Sequence, residues 1–315
     1  MTRYILKRLF MMIFVIIGVV ILIFTLLYFT PGDPARQVLG ANADEEAVRE
    51  LHVAMGLDDP FFVRLGRYMY NLFFKFDLGT SYRTKLPVMQ EILTRFPVTV
   101  KLGLWGALVS VIIGVSMGII SAIKQYTIFD EIGNFIAVIG SAMPQFWFGL
   151  ELSLLFALRW KLLPATGYDG AKYFILPVAT MGFTGAAGFF RITRSSMLEV
   201  VRMDYIRTAR SKGQSEFSVI MHHAFKNALI PIITTIGTRI GAILAGSVLI
   251  ESIFAIPGLG SFMLTAITNR DYPVIQGGVL IIALFISVVM LITDIVYAVV
   301  DPRIKSQFKR AAKSK

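Results

Sequence analysis

Apolar residues in this chain come in long blocks, with polar residues gathered between them. Bilayer hydrocarbon is about 30 Å thick, so a crossing helix needs roughly 20 mostly apolar residues. Six stretches meet that requirement. The first runs from Leu9 to Phe29 without a charge and is stopped by Thr30-Pro31-Gly32-Asp33. The second covers about Val98 to Ile123, with Lys101 near its start, and the third about Ile132 to Leu158, carrying Glu151. The fourth begins near Phe174 and reaches Arg191 and Arg194. The fifth, Leu229 to about Ile250, holds Arg239, and the sixth, Val274 to Val300, holds Asp294. Apolar/polar alternation over about ten residues, the mark of a membrane β-strand, is not found in the sequence. The pattern predicts an all-α integral membrane protein with six transmembrane helices.

Two longer polar segments lie between the spans. In residues 31–97, Asp44 to Gly56 has an acidic start and a glycine stop and reads as a helix, and Phe61 to Phe76 as a second, aromatic amphipathic stretch. In residues 191–228, Asp204 reads as the cap of a short helix with Tyr205 to Lys212 as its body. Gly213 reads as the positive-φ residue that ends it, and a second short helix starts near Glu216. Such a knob can transmit force to a soluble partner, and it can equally be a basic loop resting on anionic lipid. Gly114-x-x-x-Gly118 and the run Gly182, Gly185, Gly188 permit close helix approach, within the chain or against a second one.

Composition narrows the class. Of 315 residues 56% are hydrophobic and 16% charged, against roughly 25% charged in soluble domains. That excludes a soluble fold and intrinsic disorder alike. With no cysteine there is no disulfide framework, thiol nucleophile or thiolate metal site. The apolar part of the first span is longer than a signal-peptide core, so it reads as a retained anchor. The net charge of +11 orients the chain. Segments 1–8, 122–131, 191–228 and 301–315 hold 17 basic and 6 acidic residues, and the remainder holds 14 of each. The positive-inside rule therefore predicts cytoplasmic N- and C-termini and places 31–97 outside. The organisation expected is 1–30, a stub and first span; 31–97, an extracytoplasmic region; 98–300, a five-helix core including the loop 191–228; and 301–315, a basic cytoplasmic tail. Because the charge is a topological signal, it does not argue for nucleic acid.

Little in the chain suggests chemistry. There is no Gly-x-x-x-x-Gly-Lys-Ser/Thr phosphate loop, so ATP hydrolysis is expected from another subunit and not from this chain. Adjacent His222 and His223 point about 100° apart on a helix and read as packing rather than a metal pair; lone His52 reads the same way. Arg239 is a charge in mid-span, costly unless it faces a cavity, the bundle interior or a partner. It could meet a substrate carboxylate, pair with Glu151 or Asp294, or seal a subunit interface. Glu251 could belong to a gate or to an interface. An ion-coupled carrier would call for inverted repeats and more intramembrane acids, and an intramembrane hydrolase for a catalytic set inside the spans; neither pattern is present.

The chain resembles the permease subunits of ATP-binding-cassette (ABC) importers for dipeptides, oligopeptides and nickel. The resemblance covers almost the whole sequence. It rests on Pro31-Gly32-Asp33-Pro34, Gly56-Leu57-Asp58-Asp59-Pro60, Asp77-Leu78-Gly79-Thr80-Ser81 and Arg95-Phe96-Pro97-Val98-Thr99. It continues through Met143-Pro144-Gln145-Phe146, Leu163-Pro164-Ala165-Thr166-Gly167 and the 194–231 stretch. It closes on Glu251-Ser252-Ile253-Phe254, Pro257-Gly258-Leu259-Gly260, Arg270-Asp271-Tyr272-Pro273 and Asp301-Pro302-Arg303. It implies a type I importer permease fold in a bacterial inner membrane. A second homologous permease would complete a heterodimer, with two ATP-binding subunits below and an extracytoplasmic substrate-binding protein above. ATP and magnesium would be held by the ATPases and no cofactor by this chain. Such permeases dock on the ATPase through a Glu-Ala-Ala-x-x-x-Gly pattern. Here Arg207 and Thr208 stand for Glu and the first Ala, while Ala209 and Gly213 match, so Asp204, Tyr205, Arg207, Thr208, Ala209 and Gly213 are the expected coupling residues. Met143, Gln145, Arg239 and Glu251 are the expected pathway residues. The implied cargo is a di- or oligopeptide, with nickel or another small solute as the alternative.

Overall fold

The computed structural model describes residues 2–40 and 42–300. The basic tail 301–315 lies outside the described residues. Among the described residues the regular structure is helical, apart from one isolated bridge, Thr80 to Pro87. α1 (Thr2–Phe29) is followed by three shorter helices, α2 (Pro34–Leu39), α3 (Glu45–Met55) and α4 (Phe61–Lys75). These match the two stretches expected in 31–97 and add α2. α5 (Val88–Ile123) is ten residues longer at its N-terminus than its apolar run, because Pro97 falls within a helix already under way.

The third span departs most from expectation. It is broken into α6 (Ile128–Ala142) and α7 (Gln145–Leu152), the latter continuing as a π-helical turn Ser153–Arg159. The two arms meet at 103°. Pro144 is the cause: proline disfavours helical geometry in the residue before it, and Met143 is extended at φ −76°, ψ 125°. Among the described residues five helices are long and apolar enough to cross, and this bent pair, taken as one span, makes a sixth.

α8 (Ala171–Val201) contains Arg191 and Arg194 and runs beyond them. The helix therefore extends well into the segment expected to be loop, since arginine is a good helix former and does not end one. Then come α9 (Asp204–Ser211), α10 (Glu216–Ser218), a π-helical stretch Val219–Phe225, α11 (Lys226–Ile253), α12 (Leu259–Thr268) and α13 (Tyr272–Val300). α12, too short to span, escaped the hydropathy reading.

Contacts divide the described chain into two units, residues 99–256 with 288–300, and residues 2–98 with 257–287. In the first, α8 is the enclosed post, burying Met181, Ala187, Phe189 and Met197 among others. It meets α5 at a glycine seam. A Cβ on Gly114 would lie 2.6 Å from the Phe189 Cβ, and one on Gly118 2.7 Å from the Thr193 Cβ. Ser110 Oγ donates across the same seam to Met181 O at 3.2 Å. Gly182 and Gly185 meet Val109 and Ser110 of α5 along the same seam, while Gly188 faces Arg239 of α11, so both small-residue runs serve packing within one chain.

In the second unit, Val20, Leu72, Leu78, Val88, Ile92, Leu259 and Val274 form a shared core. The Asp271 carboxylate accepts from Ser81 Oγ at 2.5 Å, Tyr82 N at 3.1 Å and Arg83 N at 3.3 Å. Two motifs nearly 200 residues apart in sequence are tied at this point. Asp33 caps α2 through Ala35 N at 2.8 Å and also meets His52 Nε2 at 2.8 Å. His52 is therefore not alone: its other ring nitrogen lies 3.3 Å from Asp58.

Candidate functional site

The break between α6 and α7 opens a cavity of about 330 Å³ in the first unit. The end of α6 contributes Gly140 and Ser141, the break Met143, and α7 Gln145. α8 contributes Met181, Thr184, Gly185, Gly188 and Arg191, and α11 contributes Arg239 and Ala242. A proline-broken span can line a cavity in this way, because backbone freed from the helix ladder is tolerated in a membrane where it faces protein or water.

Three of the four expected pathway residues, Met143, Gln145 and Arg239, meet around this cavity. Gln145 Nε2 donates to Thr184 Oγ1 at 3.3 Å. The Arg239 guanidinium stands over the Phe189 ring at 5.7 Å and lies against Gly188, where any Cβ would collide with it. Among the described residues Arg239 makes no ion pair, so the alternatives of pairing with Glu151 or Asp294 are not realised there. Glu251 does not join the cavity. It is 0% exposed and accepts from Thr99 Oγ1 at 2.7 Å and Ser247 Oγ at 3.3 Å. Through Thr99 that carboxyl ties α11 to α5.

The 204–225 knob forms as two short helices, with corrections in detail. Met203, not Asp204, is the N-cap of α9, and Asp204 makes no capping bond. Ile206 and Ala209 face inward onto a core with Ala122, Met197, Val219 and Ala224. Ala209 is small to suit this chain's own packing, because it falls three residues after Ile206 on the same face. Tyr205, Arg207, Thr208 and Phe217 face out. Gly213 has φ +76°, as expected of the turn residue. Arg210 staples α9 to α10 through Glu216 at 3.0 and 2.5 Å, and His223 Nε2 lies 2.7 Å from Gln214 Oε1.

Sequence reasoning missed Arg191, set aside as a loop boundary, and Thr184, which looked like one more small residue. It also missed Asp130, treated only as a charge to be counted. Asp130 is buried against Ser121, Asn134 and Arg194. The four-residue spacing of Asp130 and Asn134 on one helix face was the available signal.

Comparison with known proteins fixes the family. Residues 114–306 match the binding-protein-dependent transport system inner membrane component, and residues 1–103 match the N-terminal family of such membrane components. The chain belongs to the binding-protein-dependent transport system inner membrane components. The dipeptide transport system permease protein DppB of Alkalihalophilus pseudofirmus is 40% identical, over 97% of this chain and 100% of that one. DppB of Escherichia coli K12 is 36% identical over 97% of this chain and 99% of its own length. A putative peptide transport system permease protein of Brucella abortus is 40% identical over 97% and 99%. Among solved structures, a chain of the inward-facing MetNI methionine ABC transporter superposes with a TM-score of 0.58 at 14% identity, covering 68% of this chain and 97% of that one. At that identity the likeness speaks for the fold alone, which is that of an ABC importer permease. As an inner membrane component of such a transport system, this protein is a multi-pass protein of the bacterial inner membrane.

Proposed function

We propose that this inner membrane component is one half of the translocation pathway of an ATP-driven peptide importer. The single observation that carries the reading is end-to-end similarity to dipeptide permeases at 36–40% identity. The cavity at the α6–α7 break supports it, being of a size to admit a small solute. A second permease completes the pathway as a heterodimer. Two ATPase subunits dock on the knob through Tyr205, Arg207 and Thr208, with Asp204 at its start and Gly213 setting its turn. A substrate-binding protein delivers cargo on the other side, where residues 31–97 help receive it. ATP and magnesium bind the ATPases, and this chain carries no cofactor and catalyses no reaction. Both termini are cytoplasmic. ATP binds one state of the assembly more tightly, so closure of the ATPases moves the knobs and rocks the spans between inward- and outward-facing states.

The test is reconstitution. The chain is co-expressed with its partner permease, ATPases and binding protein, and ATP-dependent uptake of labelled dipeptides into proteoliposomes is measured. Uptake of nickel but of no peptide would sink the peptide reading; failure of the ATPases to co-purify would sink the importer reading. Orientation is checked by single cysteines placed at residues 42 and 312, which is clean because the chain has no cysteine of its own. Labelling of position 42 from the cytoplasmic side would reverse the assigned topology.

A further inference from the structure

We propose that the cavity at the α6–α7 break is a carboxylate-recognition site, in which Arg191 and Arg239 select a solute with a free carboxylate and reject metal cations. The inference rests on the peptide-importer reading and specifies which group of the cargo the permease reads.

Two guanidinium groups line one cavity, and no Asp or Glu does. Neither arginine makes an ion pair or hydrogen bond among the described residues. Arg239, in mid-span, is costly unless something compensates it, and the exposed Arg191 adds a second positive charge to the same cavity. The cavity lining, drawn from α6, α7, α8 and α11, supplies no counter-charge. A passing carboxylate does.

The architecture makes room for this. Gly188 carries no Cβ where the Arg239 guanidinium lies, and the Phe189 ring provides a face 5.7 Å from the guanidinium carbon. The planar guanidinium fork suits bidentate contact with a carboxylate, a geometry that lysine cannot reproduce. Gln145, anchored on Thr184, adds an uncharged amide to the same wall. The volume of about 330 Å³ is at the small end of ligand sites, roughly 300–1,000 Å³. A divalent cation entering the same space meets two positive charges and no ligating acid, so the cavity favours peptide over nickel.

The test uses the complete transporter in proteoliposomes. ATP-dependent uptake is measured for a labelled dipeptide and for its C-terminal amide, in wild type, Arg191→Gln, Arg239→Gln and Arg239→Lys. The same binding protein is present throughout, so its own preference cancels when variants are compared. Loss of one charge-assisted hydrogen bond predicts about a tenfold fall in the ratio of free-acid to amide uptake for either Gln variant. Arg239→Lys, which keeps the charge and loses the fork, gives a smaller fall. If wild type transports the dipeptide and both Gln variants keep the wild-type ratio, the carboxylate site is wrong and the importer reading stands. Should wild type transport neither peptide, the peptide reading falls and the carboxylate site falls with it. Should Arg239→Gln fail to assemble, the ratio in Arg191→Gln, altered at an exposed position, decides.

Discussion

Arg194 grips Asp130 with two edges of its guanidinium: Nε lies 2.7 Å from Oδ1 and Nη2 2.8 Å from Oδ2. The carboxylate also accepts from Ser121 Oγ at 2.5 Å, Tyr126 N at 3.1 Å and Asn134 Nδ2 at 2.8 Å. One buried acid thereby fastens α5, the start of α6 and α8. Removing one partner of such a pair leaves a buried charge unpaired. Arg194→Ala is expected to cost about 3–5 kcal/mol. Arg207→Ala, which loses only an exposed 3.7 Å contact to Asp204, should change stability by less than about 0.5 kcal/mol. Thermal unfolding of the two variants in detergent checks the contrast, and equal losses would refute it.

The glycine seam gives a second contrast. Gly114→Ala forces a methyl to within 2.6 Å of the Phe189 Cβ and still nearer the α8 backbone, so over-packing should cost about 1–3 kcal/mol. Gly18 has nothing within 4 Å. Gly18→Ala should be neutral or stabilise the helix by up to about 1 kcal/mol. The same unfolding assay reads both, and a stable Gly114→Ala protein would show the seam to be looser than described.

His52 predicts a pH dependence. Burial works against its charge, but the hydrogen bonds its ring donates to Asp33 and Asp58 outweigh it and raise the pKa above 6.5. Burial likewise opposes the Asp33 charge, and its bonds to His52, Arg36 and Ala35 prevail and lower its pKa below 3.8. The histidine's contribution is full below its unfolded pKa and is lost as pH rises through the raised folded value. The aspartate's contribution is full above its unfolded pKa and is lost as pH falls through the lowered folded value. The pair therefore stabilises most between about pH 4 and 6.5. The stability gap between wild type and His52→Gln should be widest there and close as pH rises through the raised folded pKa of His52. A gap independent of pH would mean that the ring acts by packing alone.

The knob separates stability from docking. Gly213 has φ +76° and open space around it, so Gly213→Ala meets strain rather than collision and should cost about 1–2 kcal/mol. Phe217 is 73% exposed, and Phe217→Ala should leave unfolding unchanged. If the knob is the docking element, the same variant weakens co-purification of ATPase subunits. Full co-purification of Phe217→Ala would take Phe217 out of the docking surface and leave Tyr205, Arg207 and Thr208 to carry it.

Apolar runs revealed the spans because crossing a bilayer imposes one strict requirement on each segment separately. Their true ends were harder to see. Arg191 and Arg194 looked like a loop because charge suggested water, whereas α8 continues past them with one arginine in an ion pair and the other in a cavity. The break at Met143 was legible in Pro144 but was outweighed by continuous hydropathy. Met143, Gln145 and Arg239 were selected without any sign that they meet, since helices nearly 100 residues apart approach only through packing. The burial of Glu251 depends on Thr99, 152 positions away, and no local pattern encodes such a pairing.

Residues 216–253 form one uninterrupted helical path through α10, the π-helical stretch and α11. Glu216, stapled to Arg210, stands at one end, and Arg239 lies 23 residues along it. At 1.5 Å per residue the two are roughly 35 Å apart on a single push rod. A push-rod needs no relay of side chains, but it is sensitive to phase. One residue inserted between Glu216 and Arg239 would turn the arginine by about 100° about the rod axis, leaving the cavity with Arg191 as its one guanidinium while both ends stay chemically intact.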